Sequence, residues 1–169
     1  MIIRDIQPEE FEALGNIMVD VYSRLGGFPS PEEQPKYYEM LQNIGQLTKK
    51  PDTRVLVALS EEDEILGGVV YFSDMKQYGS GGTATKEQGA SGIRLLAVSP
   101  DARKQGIGKA LTFHCIDLAQ QSNNNQIILH TTKSMQVAWK MYEKLGFERS
   151  EDLDFKQADL PVYGFRLYL

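Results

Sequence analysis

The chain has 169 residues, 41% hydrophobic and 24% charged, with a net charge of −5. That length supports one domain, 1–169, with a substantial core, and the acidic balance argues against a general nucleic-acid binder, which needs a basic face. No apolar run approaches the ~20 residues of a membrane span, and the N-terminal MIIRDIQPEE is not a signal peptide, so a soluble, cytoplasmic protein with no nucleic-acid or membrane partner is expected.

In chain order, Ile2 and Ile3 begin a short strand. Pro8-Glu9-Glu10 reads as a helix first turn, with proline where no amide donor is needed and carboxylates facing the dipole. Phe11, Leu14, Ile17, Met18 and Val21 recur at helical spacing, giving a first helix to about Ser23. A Gly-Pro-rich break follows, then a second helical segment over Pro35 to Thr48. Arg54 to Leu59 and Ile65 to Phe72 flank an acidic turn and read as an antiparallel hairpin. Ser73 to Ser91, mostly Gly, Ser, Thr and Lys, reads as a long loop, either a functional lid or a mobile segment. Ile93 to Val98 is a strand, Gln105 to Gln121 a helix, and Gln126 to Thr131 a strand. Ser134 to Leu145 is a helix closed by Gly146. Phe147 begins a further strand, and Val162 to Tyr168 forms the last. The expected fold is α/β (α+β), with a strand-helix-strand crossover in its middle. Cys115, the only cysteine, lies in an apolar helical stripe with Leu111 and Leu118, so it reads as core. No disulfide or metal site is expected. The acidic run Glu151-Asp152-Asp154 reads as a solvated turn.

The stretch LLAVSPDARKQGIGKAL carries the chemistry. A buried strand runs into a basic turn with two glycines, Gly106 and Gly108, and then into a helix. Helix N-termini offer unpaired amides and a partial positive charge to anions. Glycines let a phosphate approach the backbone, and Arg103, Lys104 and Lys109 add charge. The dinucleotide GxGxxG pattern fails, because Leu111 stands where its third glycine belongs. The GxxxxGK[ST] loop is absent.

The RxxGxG pattern of Arg103, Gly106 and Gly108, after a hydrophobic strand and Pro100, resembles motif A of the GNAT superfamily of acetyl-CoA-dependent N-acetyltransferases. AWKMYEKLGF, Ala138 to Phe147, resembles that superfamily's final helix and following strand. His130-Thr131-Thr132 to Met135 is similar to an LHTxxxM form of a GNAT subgroup, although many members carry asparagine where this chain has Met135. The resemblance implies a mixed, mostly antiparallel sheet of about six to seven strands flanked by about four helices. It implies acetyl-CoA as cosubstrate, a primary amine of a small molecule or protein as acceptor, and direct attack in a ternary complex. It also implies that Leu96, Ala97 and Val98 line the pantetheine, that Arg103, Lys104, Gln105, Gly106, Ile107, Gly108 and Lys109 wrap the pyrophosphate, and that the assembly is a homodimer. Tyr142 matches the residue that protonates the departing sulfur: a phenol of pKa about 10 keeps its proton at neutral pH and faces a thiolate of pKa about 8.5. Tyr142 also reads as a core aromatic in the stripe Ala138, Met141, Tyr142 and Leu145. The strand that often carries a glutamate base begins here with Ser91-Gly92-Ile93-Arg94 and has no carboxylate. His130 is then the candidate base, Glu87 a remoter one, and His114 structural. A non-catalytic acyl-CoA-binding module of the same fold is the alternative, and an unrelated helix cap a weaker one.

Overall fold

A computed structural model describes residues 1–169. The elements in chain order are β1 (Ile2–Asp5), α1 (Phe11–Ser23), α2 (Pro35–Gln42), β2 (Thr53–Leu59), β3 (Ile65–Phe72), β4 (Ala90–Val98), α3 (Ile107–Gln121), β5 (Gln126–Thr131), α4 (Gln136–Lys144), β6 (Glu148–Arg149), β7 (Phe155–Gln157) and β8 (Leu160–Tyr168). The strands join in the order β1-β2-β3-β4-β5-β8-β6, with β7 folded as a hairpin onto the start of β8. Only β4 and β5 run parallel, linked through α3, so the sheet is mixed and mostly antiparallel as expected, with eight strands. No helix is long and apolar enough to cross a membrane.

Strand side chains alternate between faces, and the buried residues sort accordingly into two clusters. Val55, Val57 and Leu59 of β2 and Val70 and Phe72 of β3 meet Leu14 and Met18 of α1 and Leu41 of α2. Leu56, Val69, Ile127, Leu129 and Phe165 on the opposite face meet Leu111, Cys115 and Leu118 of α3 and Tyr142 of α4. Cys115 is core, as its stripe implies, and burial drives its thiol pKa up.

Several boundaries depart from the sequence reading. The second helical segment stops at Gln42, and Ile44–Lys49 continues as a 3-10 turn, where a side chain on Gly45 would overlap the Phe11 ring. Helix α3 begins at Ile107, because Lys104 and Gly106 both take positive φ, 66° and 76°. Helix α4 begins at Gln136, and β4 reaches back to Ala90. The long loop before β4 is also no loose tether. Met75, Tyr78 and Ala84 are buried in the first cluster, and Arg166 Nη2 holds Glu87 at 2.7 Å.

One irregularity governs the middle of the sheet. Val70 pairs with Arg94 but Gly68 pairs with Ala97, so β4 carries an extra residue there, a β-bulge. Leu95 sits at φ 59°, a left-handed conformation rare for leucine. Arg94 lies against Tyr78 of the first cluster, to which Leu95 and Ala97 also belong, while Leu96 packs on the second. β4 and β5 pair only from Ala90↔Gln126 to Ile93↔Leu129, and beyond the bulge they part.

Helix packing supplies a test. A β-carbon on Gly15 of α1 would overlap the carbonyl oxygen of Gln42 at the end of α2. Helix propensity would favour alanine by about 1 kcal/mol, but overpacking against backbone costs about 1–3 kcal/mol. Gly15→Ala is expected to lower the urea midpoint, with an unchanged dependence on urea concentration.

Candidate functional site

The parting of β4 and β5 leaves a wedge open between two strands that are paired at their other ends. Past Ile93, the groups of β4 directed toward β5 have no strand partner. One of them is taken: Tyr22 Oη of α1 donates to the Leu96 carbonyl oxygen at 2.9 Å, and burial raises the pKa of that phenol far above its usual value. Ala97 and Val98 pair with Gly68 and Gly67 on the β3 side. Leu96 and Val98 pack on the second cluster, and Ala97 on the first. All three expected pantetheine residues thus border the opening.

At the outer end, Pro100–Ala102 forms a 3-10 turn pinned by buried Ala102, and Arg103 to Gly106 lie exposed. The backbone amides of Arg103 through Lys109 make no hydrogen bond to any backbone carbonyl, so seven consecutive donors are available around the start of α3. Arg103, Lys104 and Lys109 form no ion pair, and Gln105 is exposed beside them. Ile107 anchors the turn through its side chain, 2% exposed in the second cluster. The two glycines differ in role. Gly106 is required by its φ of 76°, with nothing near its missing β-carbon. A β-carbon on Gly108 would meet Met141, Leu96 and Val98 at 3.6–3.7 Å, ordinary contact distances. The fold therefore does not demand glycine at 108; its bareness keeps a hollow beside β4 that any longer side chain would fill.

Tyr142 packs its ring against Phe147 in the second cluster. Burial raises its pKa, so the phenol keeps its proton throughout the neutral range. Its hydroxyl has no hydrogen-bond partner in the chain, yet no buried side-chain polar atom is left unpartnered, so the oxygen is reached from outside.

At the inner end the wedge widens into a cavity of about 370 Å³, bordered by Leu95 of the bulge, His130 and Thr131 of β5, and the rings of Tyr22, Phe28 and Tyr37. Burial pushes the Tyr37 phenol up to about 12. His130 lies here, as expected, but both ring nitrogens are engaged. Nε2 is 2.8 Å from the Leu153 carbonyl, which can only accept, so Nε2 carries the hydrogen; Nδ1 then accepts from Tyr78 Oη at 2.9 Å. Neither nitrogen is open to an incoming amine, and desolvation lowers the pKa, holding the ring neutral. His130 thus bridges Tyr78 and Leu153 and leaves neither nitrogen free for the expected role of base. Glu87 is likewise committed to Arg166, and Asp152 and Asp154 are paired to Arg166 and Arg149 rather than merely solvated. His114 sits half-buried on α3, away from these residues in the chain. The sequence reading singled out none of Tyr22, Phe28, Tyr37 and Tyr78: the first three flank the Gly-Pro break, and Tyr78 lies in the long loop, segments that carry no specific signature.

Residues 12–147 match the model of the Acetyltransferase (GNAT) family, and the chain belongs to that family. It is similar to the mycothiol acetyltransferase of Renibacterium salmoninarum, 30% identical over 94 residues, which are 56% of this chain and 26% of that protein. The chain thus spans about a quarter of that relative's length. A GNAT-family acetyltransferase from Staphylococcus aureus superposes with a TM-score of 0.76 at 18% identity, covering 99% of this chain and 98% of that one. The PaiA N-acetyltransferase of Thermoplasma acidophilum, solved in complex with coenzyme A, gives 0.70 at 18% identity, covering 96% of each chain. At these identities the likeness is one of fold.

Two outcomes are expected. Gly108→Glu fills the hollow and sets a carboxylate among the free amides; calorimetry should show coenzyme A affinity falling at least about tenfold, with the thermal midpoint little changed. The second concerns His130, whose pKa is lower folded than unfolded. The unfolded chain then binds more protons as pH falls through about 6.5, so stability should drop between pH ~7 and ~5.5. His130→Gln should flatten that slope in urea titrations run across the window.

Proposed function

We propose that the chain is an N-acetyltransferase that moves an acetyl group from acetyl-CoA to a primary amine of a small molecule or protein, by direct attack in a ternary complex. One observation carries the reading: β4 and β5 part beyond Ile93 and Leu129, joining a mouth of seven free amides to an aromatic cavity. A strand-like arm fits such a wedge by adding hydrogen bonds to an exposed strand edge, and a helix start rich in free amides suits its phosphates.

Acetyl-CoA, when bound, supplies the activated thioester. The amides of Gly106 to Lys109, with Arg103, Lys104 and Lys109, hold the pyrophosphate, and Gln105 lies alongside. Leu96, Ala97 and Val98 line the arm, and an N–H near Val98 serves as donor to the acyl oxygen. Tyr22 has a part that the sequence did not suggest. By holding the Leu96 carbonyl, it fixes the bulged strand in the orientation that this donor needs.

Tyr142 Oη holds the proton for the sulfur. Its raised pKa suits a phenol that remains a hydrogen-bond donor until thiolate charge develops. The amine forms its bond to the acyl carbon as the carbon–sulfur bond breaks. Its surplus proton leaves to water, because neither His130 nor any carboxylate lines the cavity as a free base. Solvent then returns a proton to Tyr142. The cavity is small, about 370 Å³, and partly lined by rings, which favours a small-molecule acceptor over a folded protein surface.

Tyr142→Phe keeps the ring packing and removes only the hydroxyl. It should bind coenzyme A like the wild type in calorimetry and lose about a hundredfold or more in kcat, measured as thiol release with an amine panel. Unchanged kcat would remove Tyr142 from the chemistry. Wild-type binding without turnover on any amine would support the acyl-CoA-binding module instead.

A further inference from the structure

The cavity holds a cation without a counter-ion. Of the arginines, Arg4, Arg24, Arg54, Arg149 and Arg166 are ion-paired; the two left over are Arg103, at the outer mouth, and Arg94, in the cavity. Arg94 is half-buried. It donates from Nη1 to the Tyr78 carbonyl at 3.0 Å, and its guanidinium carbon lies 5.9 Å from the Tyr78 ring centre. Lys156 borders the same cavity, and Lys50 Nζ approaches Gly79 from beside Arg94. No aspartate or glutamate lines the cavity, in a chain with 23 acidic residues against 18 basic ones.

A guanidinium withdrawn from water and left unpaired is costly, and such groups ordinarily find a carboxylate. Here one hydrogen bond to a carbonyl uses one of its five donors and none of its charge. Tyr22, Phe28 and Tyr37 face the same space, with ring centres 5.7–6.3 Å apart, and they offer apolar surface but no negative charge.

Resting on the acetyltransferase reading above, we propose that Arg94 binds the carboxylate of the acceptor, and that the acceptor is a small amino-acid-like molecule carrying its amine and carboxylate on an apolar, preferably aromatic, body. The planar fork of a guanidinium matches a carboxylate in two parallel hydrogen bonds. The three rings take the body through stacking and edge contacts. Amines that bring only positive charge, such as polyamines, meet Arg94 and Lys156 as like charges. The bulge makes the arrangement possible: by turning Arg94 and Leu95 to one side of β4, it places the guanidinium beside the strand segment that borders the wedge.

The test uses probes that need no turnover. The protein saturated with coenzyme A is titrated calorimetrically with hydrocinnamate, the amine-free skeleton of phenylalanine, with its neutral amide, and with phenyl phosphate. The wild type should bind hydrocinnamate at least about tenfold more tightly than the amide. Arg94→Leu should abolish that preference, and Arg94→Lys should keep part of it. Acetylation should follow the same pattern, with phenylalanine preferred to phenethylamine by kcat/KM in the wild type. Equal binding of acid and amide, a preference that survives Arg94→Leu, no hydrocinnamate binding, or tighter binding of phenyl phosphate would each overturn the proposal while coenzyme A still binds. Failure to bind coenzyme A at all would instead overturn the acetyltransferase reading, and this proposal with it.

Discussion

The single extra residue in β4 is the constraint on which the rest of the molecule turns. Parallel neighbours ordinarily stay paired to their ends, because every unpaired N–H and C=O withdrawn from water is a loss. Here the bulge, with Leu95 in a left-handed conformation, ends the pairing at Ile93↔Leu129. The surrounding structure over-determines that strained residue. Leu95 is buried in the first cluster, Tyr22 holds the carbonyl that follows it, and Gly67 across the ladder leaves room for β4 to come close. The wedge between the strands, the hollow over Gly108 and the aromatic cavity are three consequences of one backbone irregularity.

Charge is distributed around that wedge against the overall trend of the chain. The protein is acidic, yet both ends of its opening are positive, the outer one through backbone amides and exposed lysines, the inner one through a guanidinium held on the Tyr78 carbonyl. Several acidic side chains that might have neutralised them are held by arginines elsewhere, in a network where Arg166 joins Glu87, Asp152, Gln126 and Ser150. That network also ties the long loop before β4 to the last strand, and so fixes the loop that carries Tyr78. Through Tyr78 it reaches His130, whose ring acts as a brace between the loop and Leu153.

What could be read in the sequence was whatever depends on short spacing. The glycine pair and its basic neighbours, the stripe holding Cys115 and Tyr142, and the alternation in β2 and β3 are local patterns, and the fold and the outer mouth followed from them. The bulge was invisible, because Ile-Arg-Leu-Leu-Ala-Val carries no glycine, asparagine or proline to mark a left-handed residue. The loop from Ser73 to Ser91 looked loose because its small polar residues outnumber Met75, Tyr78 and Ala84, which bury it. His130 looked available because its two partners, Tyr78 and Leu153, lie far away in the chain. The sequence showed only that the strand of Arg94 lacks a carboxylate; that Arg94 has no counter-ion emerges once every other arginine has been placed.

The position of β8 has a consequence for how the chain is made. β8, the latest of the eight strands in chain order, is not an edge: Tyr163 to Tyr168 pair with β5 on one side, while Phe165 and Arg166 pair with β6 on the other. Until those residues emerge, β5 presents an open, apolar flank, and His130 and Thr131, already parted from β4, have no strand partner on either side. The nascent chain can close the β2–β3 hairpin early through local contacts, and add β1 and β4 to it across their longer connections, before β5 to β8 are in place. The cavity, whose lining includes residues of β5, β7 and β8, is assembled only once β8 has emerged. A ribosome that stalls near residue 160 would therefore release a product with its outer mouth written in full and an exposed β5 edge able to recruit other strands.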